Sequence, residues 1–177
     1  VGVILAFLVA GALAAVAIQL VKGGAPVEPM LYLQGILLGS IPFVLMGLFA
    51  VVLQVLTNNK FLGYLLMIIL LVSQIVMEIL HFDHNLYNFA RTPIVLYSDM
   101  NGYGHFLSGY AWYSAYWGLF TADLLILAQA FWVRGLSVEW RGRVRHAGRR
   151  LKGASGAALA TCMIAFAAVG AWIFHNT

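Results

Sequence analysis

Hydrophobic residues fill most of this chain in long stretches, and polar residues gather in a few short segments between them. Five apolar stretches of about 20 residues each lie near residues 1–21, 31–56, 61–80, 110–133 and 154–174. At a rise of 1.5 Å per residue, about 20 helical residues cross the ~30 Å hydrocarbon core of a bilayer. The pattern therefore predicts an all-α integral membrane protein, with about five transmembrane helices in one domain over residues 1–177.

The polar segments predict how the chain is oriented in the membrane. The segment 134–153 carries most of the positive charge and a single acid, Glu139, so the positive-inside rule places this basic loop in the cytoplasm. Counting spans backwards puts the loop 81–109 outside the membrane, as an outer cap, together with the end of the chain. The same count places a short corner on the cytoplasmic side, formed by Asn58, Asn59 and Lys60.

The basic loop also has helical order. Apolar residues recur at helical spacing while the arginines take the other faces; the apolar set is Leu136, Trp140, Val144, Ala147 and Leu151. The favoured interpretation is a basic anchor without a partner, because Gly142 and Gly148 each weaken a helix by up to ~1 kcal/mol. The alternative is an interfacial helix on the anionic inner leaflet.

Composition agrees with a membrane protein, since 63% of residues are hydrophobic and 9% are charged, against about a quarter charged in soluble domains. The chain starts at Val1 without a methionine, and we expect it to be a piece of a longer protein. No aromatic platform accompanies the arginines, so nucleic acid is not an expected partner. The sequence has no H-E-x-x-H motif, nucleophile elbow or phosphate loop. We therefore expect no enzyme activity and no cofactor in this segment.

Asp123 is the candidate for a substrate or proton pathway. It lies eleven residues before Arg134, which is about 16 Å from the inner end of its predicted span. An ionised, unpaired acid at that depth is costly, so Asp123 is expected to face the protein interior or a water-filled cavity. A structural hydrogen-bonding role remains the alternative. Its candidate partners are Thr121, Gln19, Gln54 and Gln74.

The second span carries Gly35 and Gly39 four residues apart, followed by Pro42. Small residues at this spacing let two helices approach closely, and a proline removes one backbone hydrogen bond and kinks the helix. Helix packing and a hinge are therefore the two interpretations of this motif.

The outer cap contains two features that bear on chemistry. Glu78 and His81 would share a helical face, and His84 follows, so these residues are weak metal candidates. A di-iron bundle needs a second such pair, and haem needs histidines on facing helices, so we expect no bound metal. The second feature is an outer cap motif whose residues 98–104 have the composition of a tight turn. The motif consists of Tyr97, Ser98, Asp99, Met100, Asn101, Gly102, Tyr103, Gly104 and His105. A loop this long predicts short helices or a re-entrant element packed on the outer surface.

Four stretches of the chain carry a family resemblance. They are Asn58-Asn59-Lys60-Phe61-Leu62-Gly63-Tyr64, Leu86-Tyr87-Asn88-Phe89 with Thr92-Pro93, the ten residues from Tyr97 to Phe106, and Trp172-Ile173-Phe174-His175-Asn176-Thr177. These stretches resemble large bacterial membrane proteins in which a permease of the second class of ABC-type exporters is fused to a zinc metallopeptidase of the aminopeptidase N family.

The resemblance implies that this chain is the last set of membrane spans before the peptidase, in a bacterial inner membrane. The zinc ligands and catalytic glutamate would lie beyond Thr177, so the resemblance assigns no catalytic residue here. The implied partners are the lipid bilayer and a separate ATP-binding subunit on the cytoplasmic side, with a homo-oligomer left open. Two alternatives to a permease are a membrane anchor for the peptidase without transport, and a metal- or haem-binding membrane protein.

Overall fold

In the part of the chain that it describes, the computed structural model contains six helices. They are α1 (Gly2–Lys22), α2 (Pro29–Thr57), α3 (Lys60–Ile79), α4 (Gly104–Phe131), α5 (Trp140–Arg150) and α6 (Ala154–Asn176). The structure describes residues 2–23, 28–82, 84–98, 102–132 and 140–176, without the side chains at 105, 140 and 141. Within these ranges the regular structure is helical, apart from one isolated bridge between Ser98 and Gly102.

Four of these helices are long and apolar enough to cross a membrane: α1, α2, α3 and α6. This confirms the prediction of an all-α membrane protein. Helix α4 is long enough at 28 residues, but its first half is rich in Tyr, Trp, Ser and Gly, and it falls outside that apolar group. A total of five spans therefore stays a prediction.

The helix boundaries follow the apolar stretches closely, with one exception. Helix α4 begins at Gly104, six residues before the predicted start at 110. Its N-cap is Tyr103, the residue that directly follows the bridge between Ser98 and Gly102. The predicted outer cap 81–109 therefore loses its last residues to α4. The basic loop 134–153 contains helix α5, as its periodicity predicted.

Helix α4 lies at the centre of the bundle and packs most extensively on α6 and then on α2. Its aromatic residues supply the contacts, since Tyr116 stacks on Phe166 of α6 with ring centroids 4.4 Å apart. The backbone of α6 comes close to this ring, because a Cβ added at Gly170 would lie 2.9 Å from a ring carbon of Tyr116. Helix α3 packs on α2, and α1 packs on α2 at the edge of the bundle.

Residues 84–97 form an irregular segment that enters the bundle between α2, α3 and α4, and we call it the inserted segment. Phe89 and Ala90 are buried in one core cluster with Leu45 of α2 and Trp117 of α4. The Phe89 ring contacts Phe49 of α2 at 4.8 Å and Trp117 at 5.3 Å between centroids. The sequence predicted short helices or a re-entrant element on the outer surface. The structure has no helix in this segment and buries part of it among the spans.

Candidate functional site

The inserted segment reaches the middle of the bundle. Trp117 donates its indole N–H to the Arg91 carbonyl at 3.2 Å, and Trp117 stands about 20 Å along α4 from Gly104 at 1.5 Å per residue. Gln74 of α3 donates its amide to the Phe89 carbonyl at 3.0 Å. Buried backbone groups outside regular structure need hydrogen-bond partners. Side chains of α3 and α4 supply two of them here.

Two residues of the inserted segment are held at an energetic cost. Ala90 is buried and has φ +60°, a left-handed conformation that side chains with a Cβ rarely adopt. Asn88 is 3% exposed, and neither atom of its amide has a hydrogen-bond partner in the part of the chain that the structure describes. Such buried unpaired groups and backbone outliers concentrate at functional sites. Asn88 borders an open cavity of about 640 Å³ that Gln74, Glu78 and Arg91 also line.

Pro42 of α2 is tied to α4. A proline inside a helix leaves the carbonyl four residues earlier without its usual donor, and here that carbonyl belongs to Leu38. The buried Tyr110 hydroxyl of α4 donates to the Leu38 carbonyl. The kink that was predicted as a hinge therefore has its freed carbonyl satisfied by a neighbouring helix.

The glycines of α2 do not lie where two helices approach closely. A Cβ added at Gly39 would meet nothing within 4 Å, and one added at Gly35 would meet only the Tyr103 hydroxyl, at 3.6 Å. The close approach between helices occurs elsewhere, since a Cβ at Gly63 of α3 would lie 2.9 Å from Cγ of Gln54. Within the described residues, Gly35 faces the outer turn rather than another helix.

The predicted tight turn is closed at its base. Ser98 and Gly102 exchange two backbone hydrogen bonds of 3.2 and 2.7 Å, and Gly102 has φ +57°. The rings of Tyr97 and Tyr103 pack edge to face at 5.4 Å between centroids. Gly104 begins α4. Three predicted residues at the tip, Asp99, Met100 and Asn101, lie outside the described residues, as does the side chain of His105.

The weak metal candidates do not converge. Glu78 forms an ion pair with Arg91 at 3.7 Å. His84 uses Nδ1 to accept a hydrogen bond from the Leu86 N–H at 3.2 Å. His81 follows the end of α3 with φ +60°. Among the described residues, no group of three His, Cys, Asp or Glu side chains could hold a metal ion.

Asp123 is buried, 7% exposed, on helix α4. Residues seven apart share a helix face, and Tyr116, seven before Asp123, stacks on α6. Asp123 therefore faces α6, whereas Trp117 faces the inserted segment. The structure does not bring the acid and the outer loop together.

The predicted partners of Asp123 are wrong, because each is directed elsewhere. Within the described residues, Oδ1 of Asp123 has no hydrogen-bond partner. Thr121 donates to the Trp117 carbonyl at 2.8 Å, and Gln19 accepts from Tyr32 at 2.6 Å. Gln74 donates to a carbonyl of the inserted segment. Gln54 lies against Gly63 at the α2–α3 contact. The physical reason is that Thr121, Gln19 and Gln74 bond to groups nearer to them, whereas Gln54 packs on α3.

The corner formed by Asn58, Asn59 and Lys60 caps two helices. Asn58 ends α2 in a left-handed conformation, with φ +52°. The Asn59 side chain begins α3 by accepting from the backbone N–H of Phe61 at 3.0 Å. Asparagine suits both positions because it tolerates positive φ and its side-chain oxygen satisfies helix N–H groups. Lys60 places its ammonium 5.1 Å from the centroid of the Phe61 ring.

Helix α5 holds the ends of two long helices through a buried arginine. Arg143, 7% exposed, donates to the carbonyls of Val55 at 2.7 Å, Leu56 at 3.2 Å and Phe131 at 3.4 Å. These carbonyls belong to the last turns of α2 and α4, where the helix dipole favours a cation.

A second arginine on the same face of α5 adds to this contact. Arg150 lies seven residues after Arg143 and donates to the carbonyls of Gln129 at 3.2 Å and Trp132 at 2.9 Å. Ala147, between the two arginines, is buried, while Val144 is 46% exposed. The sequence grouped Ala147 with Val144 on one apolar face and put the arginines on the other faces. That assignment is wrong for Arg143, which shares the buried face with Ala147, because this face of α5 meets the carbonyls at the ends of α2 and α4.

Sequence reasoning missed three residues that the structure makes central: Asn88, Trp117 and Arg143. The available signals were weak, since Asn88 and Trp117 lie among other polar and aromatic residues, and Arg143 is one of many arginines in its loop.

Compared with protein-family models, with curated proteins and with solved structures, the chain matches none.

Proposed function

We propose that this chain is the membrane-spanning part of a transport permease. The observation that carries the proposal is the inserted segment, a stretch of irregular backbone held by side chains halfway along the central helix. In membrane proteins, irregular backbone at this depth lines cavities and binding sites, where its exposed polar groups can contact a solute. The cavity of about 640 Å³ beside Asn88 has that character.

The polar groups around this cavity give it a way to recognise a solute. Arg91 and Glu78 lie at its rim as a loose ion pair of 3.7 Å, with side chains 34% and 66% exposed. An exposed pair of this kind contributes little to stability, so either charge can exchange its partner for a charged solute. When the inserted segment moves toward the cavity, the unpaired amide of Asn88 forms hydrogen bonds that it lacks in the buried position. The free energy of these hydrogen bonds favours the movement.

The finer form of the proposal is a permease of an ABC-type exporter in a bacterial inner membrane, fused to a metallopeptidase after Thr177. Its support is the resemblance of four stretches, above all the ten residues from Tyr97 to Phe106. Helix α5 and the Asn58 corner lie at the same end of α2, since Arg143 bonds to Val55 and Leu56. An ATP-binding subunit on the cytoplasmic side would meet this end.

The test is a cysteine-accessibility experiment on the full-length protein in membrane vesicles. Cys162 is the single cysteine of this chain and is first replaced by alanine. Asn88→Cys then reports on the inserted segment, and Ile69→Cys on α3, which is 53% exposed on an apolar helix, is the matched control facing lipid. A charged thiosulfonate reagent is expected to modify Asn88→Cys at least about tenfold faster, because only the inserted segment meets water.

The same experiment separates transport from a static cavity. With the ATP-binding subunit present, the rate at Asn88→Cys is expected to change when ATP is added, whereas the control rate stays constant. Equal slow rates at both positions, with and without ATP, would remove the inserted segment from any pathway. A downstream H-E-x-x-H motif in the full reading frame would support the peptidase fusion, and its absence would count against it.

A second candidate function is a membrane anchor that positions the peptidase without transport. The observation that favours it is the α4–α6 interface, where Tyr116 stacks on Phe166 and the backbone at Gly170 fits closely against the same ring. An interface of this kind is rigid. Consistent absence of a co-purifying ATPase, with peptidase activity intact after residues 57–60 are scrambled, would favour the anchor.

A further inference from the structure

A second cavity, of about 490 Å³, lies between α1, α2 and the outer turn. It is separate from the cavity beside Asn88, sharing only Tyr97 with the inserted segment, and nothing proposed above uses it. Helix α1 forms one wall, the first turns of α2 form the other, and Tyr97 and Tyr103 close the side nearest the turn.

The cavity is polar at one end and apolar at the other. Along α1 its lining runs from Leu8 to Gln19, a distance of about 16 Å at 1.5 Å per residue. Helix α2 starts at the Gln19 end, where Tyr32 donates its hydroxyl to the Gln19 side-chain oxygen at 2.6 Å, and reaches Ile36 at the opposite end. A ligand that fills this space therefore has a polar head and an apolar body.

The charge at the polar end of the cavity determines which charge the ligand's head group carries. Glu28 is the charged residue of the lining, and its carboxylate forms no hydrogen bond or ion pair with the residues that the structure describes. Three tyrosine rings, Tyr32, Tyr97 and Tyr103, line the same cavity. Aromatic rings attract a cation to their faces, and a carboxylate attracts it by charge.

The turn holds two of these rings in place. Tyr97 and Tyr103 flank the two-bond bridge between Ser98 and Gly102, and their rings contact each other edge to face. The Tyr103 hydroxyl comes within 3.6 Å of the position that a Cβ at Gly35 would occupy. The Tyr103 hydroxyl therefore lies against α2 at Gly35.

We propose that this cavity binds an ammonium group carried on an apolar chain. The cation lies at the Glu28 carboxylate and the Tyr32 ring, and the chain extends between α1 and α2 toward Leu8, past the Tyr97 and Tyr103 rings. Two sources supply this chemistry: a bilayer lipid with an amine headgroup, or a free long-chain amine that enters from the membrane. This inference is independent of the transport proposal.

The test uses the purified full-length protein in nanodiscs of phosphatidylglycerol, which has no amine. Dodecylamine is titrated in one arm and followed by calorimetry, with dodecanol as the uncharged probe of equal chain length. In the second arm the nanodiscs contain phosphatidylethanolamine, and native mass spectrometry counts retained lipids. Dodecylamine binding beyond that of protein-free nanodiscs of the same lipid identifies a free amine, and retention in the second arm identifies a lipid. Either result supports the site.

Variants connect the binding to the cavity. Glu28→Gln is expected to weaken ammonium binding about tenfold, which corresponds to ~1.4 kcal/mol, and it changes an exposed residue with little effect on folding. Tyr103→Phe keeps the ring and is expected to bind normally, whereas Tyr103→Leu is expected to bind more weakly. Tyr64→Leu on α3, where Tyr64 is 56% exposed, is the matched control.

Three results would overturn the proposal. One is no binding in either arm, another is equal affinity for dodecanol and dodecylamine, and the third is unchanged ammonium affinity in Glu28→Gln. Melting curves of each variant distinguish lost binding from lost folding. Because Glu28→Gln removes only a charge at an exposed position, its ammonium affinity tests the site even if Tyr103→Leu unfolds.

Discussion

Replacing Arg143 with methionine is expected to detach helix α5 from the bundle. The guanidinium makes two short hydrogen bonds, to the carbonyls of Val55 at 2.7 Å and Leu56 at 3.2 Å, and a longer one to Phe131. A hydrogen bond to a charged group contributes about 1.5–3 kcal/mol. The two short bonds alone place the loss near 3 kcal/mol. Methionine keeps the apolar stem and so isolates the head group.

The matched control is Arg145→Met. Arg145 lies two residues away on the exposed side of α5, where a substitution usually changes stability by less than about 0.5 kcal/mol. Both variants lose one positive charge from the same loop. A difference between them therefore measures the buried contacts of Arg143 and not the net charge.

Two assays follow the change. Thermal unfolding of Arg143→Met in detergent is expected to shift down by roughly 6–12 °C, given about 2–4 °C per kcal/mol for a chain of this size. Trypsin is expected to cut α5 faster, because a detached helix exposes its remaining arginines. Equal melting points and equal cleavage rates for the two variants would refute the role of Arg143 as a clamp on α2 and α4.

Three further predictions concern helix α4 and its neighbours. Trp117→Phe keeps an aromatic ring but removes the hydrogen bond to the inserted segment, so denaturant unfolding is expected to show a loss of about 1–3 kcal/mol; an unchanged midpoint would contradict this. Gly170→Val forces the Tyr116 ring aside and is expected to cost about 1–3 kcal/mol, whereas Gly118→Ala, where an added Cβ meets nothing within 4 Å, is expected to be neutral or stabilising. Asp123→Leu removes a buried unpaired acid and is expected to raise the free energy of unfolding by about 1–3 kcal/mol. Asp123→Asn is expected to impair substrate-stimulated ATP hydrolysis in the reconstituted assembly. Wild-type ATP turnover in Asp123→Asn would reduce Asp123 to a packing residue.

The apolar stretches predicted α1, α2, α3 and α6 to within a few residues, because span length depends on local composition alone. The inserted segment was placed on the surface for the opposite reason. Its burial depends on residues far along the chain: Phe89 contacts Phe49 and Trp117, and no local pattern records such contacts.

In the candidate site as well, features set by residues close in the sequence were predicted, and features set by residues far along the chain were not. The outer turn was predicted correctly at its base, since Gly102 adopts the positive φ for which glycine is suited. Arg143 could not be told from its neighbours, because what singles it out is the pair of helix ends beneath it. Asp123 was identified as buried from its position, but its lack of a partner depends on where four other polar side chains point.

The position of the inserted segment has a consequence for the order in which the chain assembles. Its supports come from α2 and α3, which precede it, and from α4, which follows it. During synthesis the inserted segment is made before Trp117, so the Arg91 carbonyl lacks the donor that it has in the finished structure. The inserted segment therefore completes its packing only when α4 is in place beside α2 and α3. Assembly of this region is a late step that follows the insertion of α4, in contrast to the independent insertion of each span.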